Sequence, residues 1–188
     1  MKNKPKIVFL WLGVLALIGG FTIDSLLQSQ KPFLERYQLS HMTTVEIVNH
    51  LEAITNEPPS FRANITGTTL YIGDSKESLS LPLPEDQFYL SVAPYLDHTH
   101  PCGIHNLVTC TGELTNQSFR VTVYADDNEN ILVDEVISTS AKGFMGIWLP
   151  RNIEGTLVVE NDHQSASTSI TTYDDSNTCL TTLKFQSR

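Results

Sequence analysis

Apolar positions change their spacing along the chain, and each change marks an element. Residues 7–23 form an uncharged, mostly apolar run between Lys2, Lys4 and Lys6 on one side and Asp24 on the other. Farther on, Ile47, Leu51 and Ile54 recur at helical intervals behind Thr43-Thr44-Val45-Glu46, where Thr43 and Glu46 have the spacing of a capping box. This predicts a helix that stops ahead of Pro58-Pro59, because the residue before a proline is driven out of the helical region. After the prolines the period falls to two. Short strands are predicted at 62–66, 69–72, 77–81 and 87–96, and in the last of these Phe88, Leu90 and Val92 share one side. Seven more are predicted at 107–114, 118–125, 130–137, 144–149, 156–160, 165–171 and 180–185, separated by polar turns at 126–130 and 161–163. Seven short strands at this spacing imply a β-sandwich. The expected fold is therefore mainly β with a small α/β N-terminal part: a helix-plus-strands region over 31–96 and a sandwich-like domain over 97–188.

The basic start and apolar run at 1–23 specify membrane targeting with the remainder exported, either as a cleaved signal peptide or as a retained anchor. Charge adds to this picture. Twelve Lys and Arg against 21 Asp and Glu give −9 overall, and without Lys2, Lys4 and Lys6 nine basic residues face 21 acidic ones, or −12. An acidic body repels phosphate backbones, which argues against nucleic acid as a partner. Its acidic tracts, Asp126-Asp127 and Asp174-Asp175, fall between strands and read as solvated turns; neither has the donor spacing of a calcium loop.

Candidate chemistry concentrates in one tract. From His98 to Cys110, thirteen residues hold three of the six histidines and two of the three cysteines. If the tract runs extended, His98, His100 and Cys102 point to one side. Imidazole and thiolate together suit copper or zinc. The third cysteine, Cys179, opens the last predicted strand, and a sandwich can set its first and last strands side by side. Two readings of the residues stay open. Either the three cysteines hold a metal, or two of them form a staple and the third is a small buried hydrophobe. Cys-x7-Cys is neither a zinc-ribbon nor a redox Cys-x-x-Cys spacing. A Cys–His nucleophilic enzyme would leave Cys110 and Cys179 without a part.

Several stretches together resemble the CueP family of periplasmic copper-binding proteins. These are Leu81-Pro82-Leu83-Pro84, Thr99-His100-Pro101-Cys102, His105, Thr109-Cys110, Gly112-Glu113-Leu114, 143–151 (GFMGIWLPR) and Thr178-Cys179. The resemblance runs from about residue 33 to the end of the chain. It implies an envelope protein that binds copper for resistance or for delivery to other envelope proteins, with the cysteines as ligands or redox partners. It also implies thiol-coupled reduction of Cu(II) and dimers. On this basis the expected metal site is Cys102, Cys110 and Cys179, with His100 and His105 as imidazole partners and copper, bound as Cu(I), as the ion. Two thiols closing to a disulfide release two electrons, so reuse calls for an envelope thiol reductase as a further partner.

Overall fold

The computed structural model describes residues 31–56, 58, 60–126 and 130–187. The targeting segment expected at 1–23 lies outside them. The described residues up to His41 form one compact unit and those from Met42 onward another. In the first, residues 31–36 are helical, and the Phe33 and Tyr37 rings lie 4.9 Å apart. Among the described residues no helix is long and apolar enough to cross a membrane.

The second unit begins with helix α1 (Thr44–Ala53). The capping box is formed as the sequence predicts: Glu46 N–H donates to Thr43 Oγ1, and Thr43 N–H donates to Glu46 Oε2 at 2.7 Å. Ile47, Val48 and Leu51 are buried, and so is Glu52 beside them.

Among the described residues, twelve strands follow in three sheets. The first sheet has the order β3-β2-β1-β5, built from β1 (Arg62–Ile65), β2 (Thr69–Gly73), β3 (Ser78–Pro82) and β5 (His105–Asn106). The second has the order β12-β10-β9-β6-β7, from β6 (Ser118–Ala125), β7 (Ile131–Ser138), β9 (Glu154–Glu160), β10 (Gln164–Thr171) and β12 (Gln186–Ser187). The third has the order β11-β4-β8, from β4 (Gln87–Val92), β8 (Met145–Pro150) and β11 (Cys179–Leu180). The fold is mainly β, as the periodicity implies.

The second and third sheets share one apolar core. Phe88, Leu90 and Val92 of β4 and Met145, Ile147 and Leu149 of β8 meet Phe119, Val121 and Val123 of β6 and Leu157 and Val159 of β9. Alternation on β4 thus sends its even-numbered residues into the sandwich. Its odd-numbered residues, Tyr89 and Ser91, are buried as well, on the opposite face. Gly146 pairs with Ser91 in register and leaves room for the Tyr89 hydroxyl, which a Cβ at that position would meet at 2.0 Å.

The strand expected at 107–114 is not formed. Asn106 Oδ1 accepts from the Val108 and Thr109 N–H groups at 3.0 and 2.9 Å, and Cys110 N–H donates back to Asn106 O. An asparagine side chain that captures the next amides closes a turn in place of a ladder. The extended piece ends with β5 at Asn106, one residue before the expected strand begins. Of the strand expected at 180–185 only Leu180 lies in a strand, β11; Lys184 forms an isolated bridge with Tyr95, and β12 follows at Gln186–Ser187 on a different sheet.

Candidate metal site

Three segments converge on the cysteines. The first is the tract 99–110, tied at His105 to β1, where Ile65 is its register partner. The second is β11, which runs parallel to β4 and pairs Cys179 with Ser91. The third is the turn before β8, where Phe144 is fully buried. Threonines lace the first two together. His105 N–H donates to Thr178 Oγ1 at 3.1 Å, the Thr178 hydroxyl donates to Ile65 O at 2.6 Å, and the Thr181 hydroxyl donates to His100 O at 2.7 Å. Thr178 and Cys179 N–H groups both donate to Gly103 O. Glu113 holds the entrance to the tract, since its carboxylate accepts the Leu96, Asp97 and His98 N–H groups. Burial alone would raise the Glu113 pKa, but these donors hold it down at about 2.

Cys102 and Cys179 form a disulfide, with Cα atoms 5.6 Å apart across a sequence separation of 77. Cys110 is a free, half-buried thiol whose Sγ lies 3.9 Å from Cys102 Sγ. His105 is buried, with Nδ1 3.5 Å from Cys179 Sγ. One ligand atom from each of Cys102, His105, Cys110 and Cys179 lies within 4.8 Å of the other three. His100 is not a member of this group; its ring stands edge-on to Phe144 at 6.4 Å. His98 is exposed, with Nδ1 3.4 Å from Glu113 Oε1. The Phe144 ring lies 4.5 Å from that of His105 and, with Ala93, packs against the three cysteines.

The arrangement suits a soft ion once the disulfide is reduced. Two sulfurs bound at about 2.3 Å to one trigonal or tetrahedral ion stand roughly 3.8–4.0 Å apart, which is the present spacing of Cys102 and Cys110. Three thiolates and one imidazole are a donor set that favours Cu(I) or zinc over hard cations.

Behind His105 lies a group of residues that sequence periodicity does not reveal. His105 Nε2 is 2.9 Å from Glu52 Oε2, and the same oxygen accepts from the Tyr89 hydroxyl at 2.9 Å and the Ser91 hydroxyl at 3.0 Å. Lys142 is also buried, and its Nζ donates to Leu51 O at 2.7 Å and to Leu107 O. These contacts decide the protonation states. Burial would raise the Glu52 pKa, but hydrogen bonding and charge from His105, the Tyr89 hydroxyl and the Lys142 charge lower it, so the carboxylate is ionised. Burial would lower the His105 pKa, but hydrogen bonds to Cys110 and Glu52 raise it. Burial would raise the Cys110 pKa, yet the His105 hydrogen bond, with a contribution from Asn106, brings it down. A thiol held down in this way is the form that binds metal and attacks disulfides.

Comparisons with known proteins show the family of the chain. The sequence matches the family described as periplasmic copper-binding protein CueP over residues 46–184. The structure is similar to the crystal structure of S.CueP, at 40% sequence identity and a TM-score of 0.80, covering 84% of this chain and 98% of that one. Comparison with curated proteins found no match. The family match spans most of the chain, including all three cysteines and His105, and the chain belongs to the CueP family of periplasmic copper-binding proteins.

Proposed function

We propose that this chain holds copper as Cu(I) at Cys102, Cys110 and Cys179, with His105 and His100 as imidazole partners, and serves copper resistance or delivery in the bacterial envelope. The observation that carries this reading is the gathering of three sulfurs and one imidazole within 4.8 Å, from segments far apart in sequence. His105 is the inner imidazole, and His100, half-buried beside Phe144, is the outer one.

Reduction of Cu(II) fits the same site. Cys102 and Cys179 as thiols give up two electrons and two protons when their sulfurs bond, and two Cu(II) ions become two Cu(I). Cys110, whose pKa the imidazole neighbour brings below its ordinary value, remains as a ligand for the product. An external thiol reductase restores the dithiol. X-ray absorption on reduced protein loaded anaerobically with one equivalent of Cu(I) tests the ligand set. The reading expects two or three sulfur scatterers at roughly 2.3 Å, with fewer in Cys110→Ser; a sulfur-free shell would refute it.

A second reading, a stapled extracytoplasmic binding module with no metal role, draws on the disulfide itself. It expects a bond that is never reduced in freshly isolated protein and a thiol count of one. The copper reading expects a fraction with three free thiols that falls to one as Cu(II) is consumed.

A further inference from the structure

We propose that Glu52 is the positioning residue of this site: by accepting the Nε2 proton of His105, it sets Nδ1 as the nitrogen that joins the three sulfurs in holding Cu(I). The inference rests on the copper reading above and adds the residue that orients its imidazole. Glu52 is 6% exposed and belongs to α1, which contributes no sulfur or imidazole to the cluster.

The ring's placement carries the assignment. His105 Nε2 lies 2.9 Å from Glu52 Oε2, an oxygen that also accepts from the Tyr89 and Ser91 hydroxyls. With Nε2 turned to the carboxylate, the ring's other nitrogen faces Cys179 Sγ at 3.5 Å. The opposite tautomer would set a bare Nε2 against a carboxylate. Ligating histidines commonly give their second N–H to a carboxylate, which fixes the ring and makes the ligating nitrogen more basic.

The carboxylate is itself held in place. Its helix ends under Lys142, whose ammonium bridges Leu51 O on α1 and Leu107 O two residues past His105. Asn49, one turn earlier, accepts from the Trp148 indole N–H on β8 at 2.9 Å. Among the described residues, the Glu52 contacts all fall on Oε2, which His105 shares with the Tyr89 and Ser91 hydroxyls.

The test uses the full exported body, reduced and labelled with ¹⁵N, and reads the imidazole by two-bond ¹H–¹⁵N correlation before and after one equivalent of Cu(I). Expected is a proton on Nε2 of His105 in both states, with Cu(I) moving the Nδ1 resonance. Glu52→Gln keeps size and an acceptor oxygen but loses the charge. It is expected to weaken Cu(I) binding tenfold to a hundredfold, with the native circular dichroism and all three thiols retained. Tyr89→Phe leaves the carboxylate and should weaken binding by less. A proton on Nδ1 with Nε2 bare, or Glu52→Gln binding within twofold of the unaltered chain, would overturn the assignment. A chain that keeps the Nε2 proton but binds no Cu(I) would instead overturn the copper reading and, with it, the metal role given to Nδ1.

Discussion

The two faces of β4 are buried to a similar degree and do opposite work. One carries Phe88, Leu90 and Val92 into the apolar core of the sandwich, where stability comes from area removed from water. The other carries Tyr89 and Ser91, whose hydroxyls converge on one carboxylate oxygen behind the cysteines. A buried ionised group is tolerated only when it is paired and hydrogen-bonded, so this face specifies geometry at some cost in stability. Truncation on the first face should therefore lower stability and spare copper. Changes on the second should cost less stability and weaken copper binding.

The largest expected effect comes from the bond beside the second face. A cross-link spanning 77 residues contributes about 4–5 kcal/mol in the chain-entropy account. Urea unfolding of the oxidised chain should lose that amount on reduction or in Cys179→Ser, and reduction should leave Cys179→Ser unmoved. Next is Phe88→Ala, which empties a fully buried position in the sandwich and should cost about 3–5 kcal/mol, while the folded protein keeps its Cu(I) affinity. A matching fall in affinity would show that the two faces are not independent. Smaller again is Tyr89→Phe, which removes one donor to a charged acceptor and should cost about 1.5–3 kcal/mol. Its unfolding midpoint and its Cu(I) affinity, measured together, locate it on one side of the comparison or the other.

The smallest effect is in the acid limb. The Glu113 carboxyl is held at about 2 in the folded protein against an ordinary 4.5. A depressed carboxyl contributes stability that is fully present above about pH 4.5 and is lost as pH falls through about 2. Glu113→Gln should therefore flatten the stability profile between those values and leave it parallel to that of the unaltered chain at neutral pH.

Much of the first face can be read directly from the chain, and much of the second cannot. Alternation places Phe88, Leu90 and Val92 inside, and the Thr43–Glu46 spacing predicts the cap of α1. The same alternation assigns Tyr89 and Ser91 to the solvent side, because periodicity tells two faces apart but not what covers the second one. Glu52 is hidden for a related reason: a carboxylate next to Leu51 looks like the polar flank of an amphipathic helix. Its only local signals are the glycine at 146, which makes space for Tyr89, and a lone lysine, Lys142, between apolar neighbours. Cys179 does lie beside Cys102, but not through the first strand expected for the sandwich: 107–114 forms no strand, and β11 pairs in parallel with β4 instead. The tract itself is not extended as far as Cys110. Asn106 turns it back, and that turn brings Cys110 Sγ within 3.9 Å of Cys102 Sγ.

The most direct measurement is an anaerobic competition for Cu(I) between the fully reduced protein and a chromophoric chelator. It would be run on the unaltered chain and on Cys102→Ser, Cys110→Ser and Cys179→Ser. A site shared by the three sulfurs predicts that affinity collapses in each variant. Equal affinity in all four proteins would contradict it.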